Sequence, residues 1–352
     1  VLLILLTTGQ CNLRCYYCGG SFSPDSVPWK VEYELEDLIK YMSHYVDLDV
    51  AFYGGEPLLN PKFIMYIMDK VKARHFIIQT NGLLIELLPP SYWNRFDSVL
   101  ISIDGPRWLT DKHRGEGVHD KVLKNSRKLR ERGFRGDLIA RMTVTEGSDI
   151  YRDVTYLLGL GLFDHVHWQL DFIWSDRWKD VKGWVKSSYK PGLRKLVELW
   201  VENLRRGKVL GIAPFQGIVK RIREGGPRPP CGSGTSSLSI STDGRVLACP
   251  IAVNEGWAEL GYLKDFKGMR ELIEEPCTSC EYFRVCGGRC LYAYMERLWG
   301  EEGFNMTCEV TKYLIDLLYG KVHVIERLVE EGVIEWREIC YPPFNNTVEV
   351  IP

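Results

Sequence analysis

Long hydrophobic runs are missing from this chain of 352 residues: no uninterrupted apolar stretch approaches the ~20 residues that a membrane helix takes, so no membrane partner is expected. Charge of one sign is missing too. Its 45 Lys and Arg against 46 Asp and Glu leave a net charge of −1, with no basic arm or acidic tail. No global field draws nucleic acid, and none is expected as a partner. Residues 1–8 are apolar but lack the charged leader of a secretory signal, and low-complexity tracts are absent. Cysteine, by contrast, is plentiful. The 11 residues are odd in number and clustered at metal-ligand spacings, the wrong arrangement for a disulfide framework. Together these features assign the chain to a reducing, cytoplasmic setting.

The length suits one large α/β domain and a smaller second one, since domains commonly run about 100–200 residues. The first cysteines organise the rest. Cys11-Asn-Leu-Arg-Cys15-Tyr-Tyr-Cys18 follows directly on the apolar segment 1–8, so three thiols sit on a loop leaving a buried strand. Thiolates are soft ligands, and three of them can hold three corners of an iron–sulfur cube while the fourth iron stays open to bind and activate another molecule. The competing reading makes them three of four zinc ligands, with the fourth supplied from elsewhere.

This loop resembles the signature of the radical S-adenosylmethionine (radical SAM) superfamily, Cys-x3-Cys-x2-Cys with an aromatic residue just before the last cysteine; Tyr17 stands there. A second mark follows the strand at 49–53, in the run Gly54-Gly55-Glu56-Pro57. Two glycines at a strand end let backbone approach a ligand closely, and the proline fixes the exit. In the family this segment and its glutamate lie against the methionyl amino group of SAM. The resemblance therefore implies cofactor contact for Tyr17, Gly54, Gly55, Glu56 and Pro57.

Apolar spacing marks helices at 32–46, 61–72, 118–132 and 150–159, with a short one near 91–95, and strands at 49–53, 75–80, 98–104, 137–145 and 165–172. With residues 1–8 as the first strand, six strand-then-helix units imply parallel strands joined by right-handed crossovers. A closed barrel of this type takes eight units; six give a partial (β/α)6 TIM-like barrel, the architecture of radical SAM cores. Its ligand site is expected at the carboxyl ends of the strands, where Cys11, Gly55, Asn81, Ser102, Arg141 and Gln169 are read to lie. Ser102, in the run Ser-Ile-Asp-Gly, resembles the strand-four serine that contacts SAM. Arg141, near the end of the fifth strand, and Arg114, in the loop after the fourth, compete for the SAM carboxylate. Asp104 reads as a turn residue, and Asp171, at the end of strand six, is the candidate proton acceptor.

Residues 175–207 read as helical and rich in tryptophan (Trp174, Trp178, Trp184, Trp200), with core packing preferred to an aromatic substrate wall. Gly225-Gly226-Pro227-Arg228-Pro229-Pro230 then blocks regular structure and marks a boundary. Beyond it, 239–249 reads as a hairpin turning at Asp243-Gly244. Cys231 and Cys249 are followed by Cys277-x2-Cys280-x5-Cys286-x3-Cys290 and then Cys308, an order that resembles the SPASM extension of radical SAM enzymes acting on peptides and proteins. The resemblance implies two auxiliary [4Fe–4S] clusters. Cys231, Cys249 and Cys290 would hold the first, and Cys277, Cys280, Cys286 and Cys308 the second. No cysteine in 233–237 completes the first set, whose fourth position is left open, water-filled or taken by another side chain. A zinc ribbon is the competing reading. Cys340 is left over and reads as a buried small hydrophobe. The expected division is a radical SAM barrel over 1–206, a linker over 207–230, a SPASM domain over 231–310, and a C-terminal helix and tail over 311–352. Within the tail, 310–331 reads as helix and 347–351 as an edge strand.

The resemblance covers about residues 1–310. It implies that a reduced N-terminal [4Fe–4S] cluster, chelated by the amino and carboxylate groups of SAM, passes one electron into the sulfonium. Methionine and a 5′-deoxyadenosyl radical result, and the radical removes hydrogen from a substrate at the barrel mouth. The electron would come from an external donor such as ferredoxin or flavodoxin, and the auxiliary clusters would take up the electron left after substrate oxidation. The chain looks most like archaeal-type SPASM proteins assigned to peptide modification. A peptide or protein side chain is therefore the expected substrate, and a thioether, a carbon–carbon bond, an epimer or an oxidised side chain the product. With nothing before Val1 to form a leader-binding domain, recognition is expected to use the barrel mouth, the second domain or a partner protein. Two other readings are SAM-radical maturation of a small-molecule cofactor and a non-enzymatic zinc or iron–sulfur scaffold. The Gly-Gly-Glu-Pro and Ser-Ile-Asp-Gly runs speak against the scaffold.

Overall fold

A computed structural model describes residues 1–171, 178–297, 299–340 and 351–352. β1 (Leu2–Leu6) is buried at every position, as an unbroken apolar run in a sheet covered on both faces should be. Along the chain follow α1 (Leu35–Met42), β2 (Asp49–Tyr53), α2 (Pro61–Lys70), β3 (His75–Thr80), α3 (Pro90–Trp93), β4 (Ser98–Ser102), α4 (Arg107–Arg114), α5 (Val118–Glu131), β5 (Asp137–Val144), α6 (Ile150–Gly159) and β6 (His165–Leu170). The strands β1 to β6 lie in chain order in the sheet, so the partial (β/α)6 barrel is the architecture found. β1 to β4 pair in parallel, with Leu2 opposite Asp49, Asp49 opposite His75 and Ile77 opposite Ser98.

Local chemistry sets the ends of these elements. Asn60 Oδ1 accepts the Phe63 N–H at the start of α2, and Asp149 Oδ1 accepts the Arg152 N–H at the start of α6. The helix expected over 32–46 contracts to α1, because Glu34 is extended and the chain leaves the helix at Ser43. The one expected over 61–72 stops at Lys70, because Val71 is extended.

Two compact, discontinuous units share the chain. The first comprises Val1–Ile103, Thr110–Ile139 and Gly232–Leu272. It contains β7 (Ser237–Ile240), β8 (Arg245–Leu247) and β9 (Glu259–Tyr262). β7 pairs in parallel with β1, Leu2 opposite Ser237 and Leu5 opposite Ile240, so β1 is flanked by β2 and β7. β7 and β8 form the expected hairpin. They are antiparallel, Gly244 takes φ +86° in the turn, and Asp243 Oδ1 accepts the Arg245 N–H at 3.1 Å. Leu6, Val27, Leu247 and Val253 pack into one cluster with Phe22 and Tyr53. The linear division at 206, 230 and 310 does not coincide with this unit, because 232–272 carries the strand that pairs with β1.

The second unit comprises Asp104–Leu109, Ala140–Cys231 and Ile273–Pro352. α7 (Val181–Trp184) passes through a π-turn (Val185–Tyr189) into α8 (Lys190–Arg205), which buries Leu193, Leu196, Val197 and Trp200 along one face. Trp184 stacks on Tyr189 with ring centroids 4.9 Å apart, and the Trp168 indole donates to the Tyr189 hydroxyl at 2.9 Å. Trp184 and Trp200 are thus core residues; Trp174 lies outside the described residues. α9 (Ala213–Glu224) occupies much of the stretch expected as a linker, because Phe215, Ile218 and Val219 fall on one buried face. α10 (Phe283–Cys286), α11 (Leu291–Glu296), α12 (Gly300–Tyr319), α13 (Val322–Glu330) and α14 (Trp336–Ile339) complete the unit. The single helix expected over 310–331 is therefore two, divided at Gly320-Lys321. The edge strand expected at 347–351 lies outside the described residues except for Ile351. Cys340 is half-buried rather than buried. No helix among the described residues is long and apolar enough to cross a membrane.

Candidate functional site

Beyond β1 the chain passes through the buried Thr7 and Thr8 and turns at Gly9 into the cysteine loop. The loop is closed at its base by Phe22 N–H donating to Gly9 O at 2.9 Å, and by Gly9 N–H donating to Pro28 O at 3.3 Å. Cys11 N–H donates to Ser21 Oγ at 2.9 Å, and the N–H groups of Cys18 and Gly19 both reach Cys15 O. Cys15 is buried, Cys11 half-buried and Cys18 exposed. A hydrogen bond from Cys15 lowers the Cys18 thiol to about 6, against burial and with help from the Gly20 N–H and the Arg114 guanidinium. Cys18 is therefore mostly thiolate at neutral pH. Burial, with the negative charges of Glu56 and Cys18, pushes Cys11 up.

Arg114 is the last residue of α4 rather than a loop residue, and its guanidinium lies 5.4 Å over the Tyr17 ring. The neighbouring His113 ring stacks on Tyr16 at 6.2 Å and meets Tyr17 edge-on at 5.8 Å, while its carbonyl accepts the Tyr16 N–H at 2.7 Å. The end of α4 thereby clasps the aromatic half of the cysteine loop.

The Gly-Gly-Glu-Pro segment packs on the same loop from the other side. A Cβ on Gly54, at φ +136°, would lie 2.4 Å from Thr8 O, and one on Gly55 would lie 2.2 Å from Gln10 O. Both glycines are thus demanded by the chain that leads into Cys11. Gly55 N–H donates to Thr8 O at 3.0 Å and Glu56 N–H to Gln10 O at 2.7 Å. Pro57 opens the 3₁₀ turn Pro57–Leu59, and its carbonyl accepts the Thr7 hydroxyl at 3.2 Å. The Glu56 carboxylate is buried. Oε1 accepts the Leu58 N–H at 3.1 Å and the Thr80 hydroxyl at 2.6 Å, and Oε2 accepts the Asn81 N–H at 2.8 Å. Burial pushes Glu56 up to about 7 even though these three bonds pull the other way.

Asn81 carries the arrangement onward. Its Nδ2 donates to Asn12 Oδ1 at 2.7 Å, its Oδ1 accepts the Leu83 N–H at 3.0 Å, and its side chain draws the Cys11 thiol down a little against the burial. Asn125 Nδ2 holds the Gly82 carbonyl at 2.7 Å. The exits of β1, β2 and β3 are therefore locked together through Cys11, Gly55, Glu56 and Asn81. Ser102 ends β4 and is half-buried.

Arg141, Gln169 and Asp171 belong to the second unit. Arg141 lies inside β5, three residues before its end, rather than near the end; its Nη1 donates to Met142 O at 3.3 Å. Gln169 is the penultimate residue of β6. Asp171 follows that strand, buried, with its N–H on Val144 O at 2.9 Å. Asp104 proves to be more than a turn residue: it is buried, and its Oδ1 accepts the Thr143 N–H of β5 at 2.9 Å.

Cys277, Cys280, Cys286 and Cys308 line one cavity of the second unit, of about 70 Å³. Cys280 N–H donates to Cys277 O at 3.0 Å, Cys286 ends α10, and Cys308 projects from α12. Burial, then the charges of Cys286, Cys308 and Cys280, pushes Cys277 up to about 12, and burial with Cys308 pushes Cys286 up to about 11. Burial pushes Cys308 up as well, and buried thiols that resist ionisation favour a polycationic partner when they become thiolates. Among the described residues, no three His, Cys, Asp or Glu side chains close on one point as a single metal ion requires. Thiolates around a cube each bind a different iron and stand farther apart than the ligands of one zinc, which lie ~2.3 Å from it. The all-sulfur donor sets fit clusters. Cys290 is buried and Cys231 half-buried in the second unit; Cys249, buried, follows β8 in the first.

Sequence reasoning passed over Asn12, Thr80, His113 and Asn125. Only Thr80 carried a signal, as the last polar residue of a strand that runs into Asn81-Gly82.

Residues 5–150 match the family described as the radical SAM superfamily. The chain is similar to the cysteine-type anaerobic sulfatase-maturating enzyme of Clostridium perfringens (strain 13 / Type A), 25% identical over 376 aligned positions that cover 91% of this chain and 96% of that protein. It is 26% identical over 314 positions to the mycofactocin maturase MftC of Mycobacterium tuberculosis, covering 81% of this chain and 77% of that one. The solved structure of native anSMEcpe with bound AdoMet and Cp18Cys peptide has the same fold, with a TM-score of 0.69 at 20% identity over 93% of this chain and 99% of that one. With three thiols on the loop after β1 and the Gly-Gly-Glu-Pro segment packed against them, residues 5–150 carry a radical SAM domain.

Proposed function

We propose that this radical SAM enzyme abstracts hydrogen from a peptide or protein side chain. The observation that carries the reading is the three-thiol loop tied by Gly55, Glu56 and Asn81 to the exits of three adjacent strands. A metal scaffold has no use for a buried glutamate that holds the third strand exit against the loop. Similarity to a sulfatase-maturating enzyme, and to the fold of a peptide-bound neighbour, supports the peptide substrate over a small-molecule cofactor precursor.

Cys11, Cys15 and Cys18 would hold a [4Fe–4S] cluster carrying S-adenosylmethionine, whose one-electron cleavage supplies the hydrogen-abstracting radical. The rest is the work of the chain. Cys18 meets iron already ionised, and Arg114 offsets the negative charge gathered there. Gly54, Gly55, Glu56 and Pro57 form the seat of the methionyl group, with Asn81, Ser102 and Gln169 as further cofactor contacts. Arg114, over the Tyr17 ring and beside Cys18, and Arg141, in β5, are the two candidates for the cofactor carboxylate. Asp171 is the proton acceptor. Cys277, Cys280, Cys286 and Cys308 would hold one auxiliary [4Fe–4S] cluster, and the sequence assigns the other to Cys231, Cys249 and Cys290. An external one-electron donor such as ferredoxin or flavodoxin and a cytoplasmic setting complete the reading.

The test is iron content and 5′-deoxyadenosine formed from S-adenosylmethionine with dithionite, on anaerobically reconstituted protein. About twelve irons per chain are expected, with nucleoside formation lost in a Cys15→Ala, Cys18→Ala variant. Bound zinc with no nucleoside formed returns the chain to the scaffold reading.

A further inference from the structure

Arg221 and Arg289, both in the second unit, are buried arginines with 4% and 5% of their surface exposed. Arg221 Nε donates to Val285 O, and Arg289 Nε donates to Pro352 O at 2.9 Å. Their remaining nitrogens are largely unspent. Nη2 of Arg221 and both Nη1 and Nη2 of Arg289 are buried with no hydrogen-bond partner among the described residues. The anionic groups within electrostatic reach of Arg221 are thiols, those of Cys286 and Cys231. Arg289 lines the same cavity as Cys277, Cys280, Cys286, Cys290 and Cys308.

An unpaired buried charge is among the most costly features a fold can carry. The local backbone is nevertheless built to keep these two in place. Arg289 takes φ +58°, a left-handed conformation that a glycine would occupy without strain. Gly226 and Gly287 leave room for the Arg221 guanidinium, since a Cβ on them would lie 2.5 Å from Nη1 and 2.8 Å from Nη2. A site that holds cations so firmly is completed by an anion. Among the described residues, apart from the Pro352 oxygen already bonded to Arg289 Nε, the neighbours named here that can supply one are cysteines of the auxiliary sets, and a [4Fe–4S] cube with thiolate ligands is negative in both oxidation states, by one unit more when reduced.

We propose that Arg221 and Arg289 are the buried counter-charges of the auxiliary iron–sulfur sites, and that they raise the reduction potential of the clusters held there. The proposal rests on the reading of these cysteines as cluster ligands. A cation fixed beside a cluster favours the form carrying the extra electron, so these two arginines make the auxiliary sites better one-electron acceptors. Neither residue is a ligand. Each acts through charge and hydrogen bonds on sulfur.

The experiment is a potentiometric titration of the full chain with all clusters reconstituted, followed by electron paramagnetic resonance, for wild type, Arg289→Gln, Arg289→Lys and Arg221→Gln. The glutamine variants are expected to keep their iron and the midpoint of the first-loop cluster. At a fixed potential their auxiliary sites should show a reduced-to-oxidised ratio about tenfold lower, equivalent to about 59 mV for a one-electron couple. Arg289→Lys, which keeps the charge, is expected to recover most of the difference. Thermal melts give a second readout: removing an uncompensated charge raises the midpoint of the apoprotein and lowers that of the reconstituted protein. An unchanged auxiliary midpoint with full iron content overturns the proposal, and so does an equal fall of both melting midpoints, which marks plain structural arginines. Wild type that takes up iron for the first loop alone overturns the cluster reading itself, and the proposal with it.

Discussion

Glu56 accepts the Thr80 hydroxyl at 2.6 Å, so a carboxylate that follows β2 fixes the end of β3. Its burial has a pH signature. Unfolded, the group titrates near 4.5, whereas in the fold it keeps its proton up to about 7. The folded chain binds more protons between those values, so its stability is fully present below about pH 4.5 and is lost as pH rises to about 7. The total is about 3 kcal/mol. Urea unfolding of the apoprotein across that window measures the slope. Glu56→Gln should flatten it, and should cost about 1–3 kcal/mol at low pH, because its amide nitrogen cannot accept the Asn81 N–H.

Gly55→Ala sets a methyl 2.2 Å from the Gln10 carbonyl, immediately before Cys11. The expected cost is about 1–3 kcal/mol, together with loss of about four irons per chain as the cysteine loop shifts. Gly256→Ala, where a Cβ meets nothing within 4 Å, is the control and should leave both unchanged. Iron analysis and melting curves on the two variants decide it.

The low value of Cys18, about 6, owes most to Cys15 and less to Arg114. Cys15→Ala should therefore raise it more than Arg114→Gln does. Alkylation of the exposed Cys18 in the apoprotein, followed by peptide mapping from pH 5 to 9, reports the thiolate fraction directly. Equal curves for wild type and both variants would contradict the assignment.

Cys280→Ala removes one corner of the quartet in the second unit. About four irons should be lost while S-adenosylmethionine cleavage at the first loop persists. Nucleoside assays and iron counts on the same sample separate the two sites.

Much of this was legible in the sequence, because periodicity and turn chemistry act locally. β2 and β3 and the Asp243-Gly244 hairpin stand where alternation, apolar runs and Asp-Gly place them. What escaped is what depends on distant partners. The glycines of Gly-Gly-Glu-Pro read as room for a ligand, whereas their tightest neighbours are Thr8 and Gln10. Asp104 reads as a turn residue, yet it serves the backbone of β5, and Arg114 pairs with a ring almost a hundred residues earlier. α9 escaped because the Gly-Pro run beyond it marks the whole stretch 207–230 as a linker, whereas Phe215, Ile218 and Val219 find a buried face only in the folded unit.

The pairing of β7 with β1 also bears on how the chain reaches its fold. Leu2 meets Ser237 across nearly the whole length of the barrel sequence, so one side of the most apolar strand stays without a neighbour until that late segment has been synthesised. During synthesis this bare edge is a template for pairing with other chains, and nascent protein ending before Ser237 should aggregate. The hairpin that follows Cys231 thus also acts as a clasp, and cells would need to shelter the growing chain until it closes.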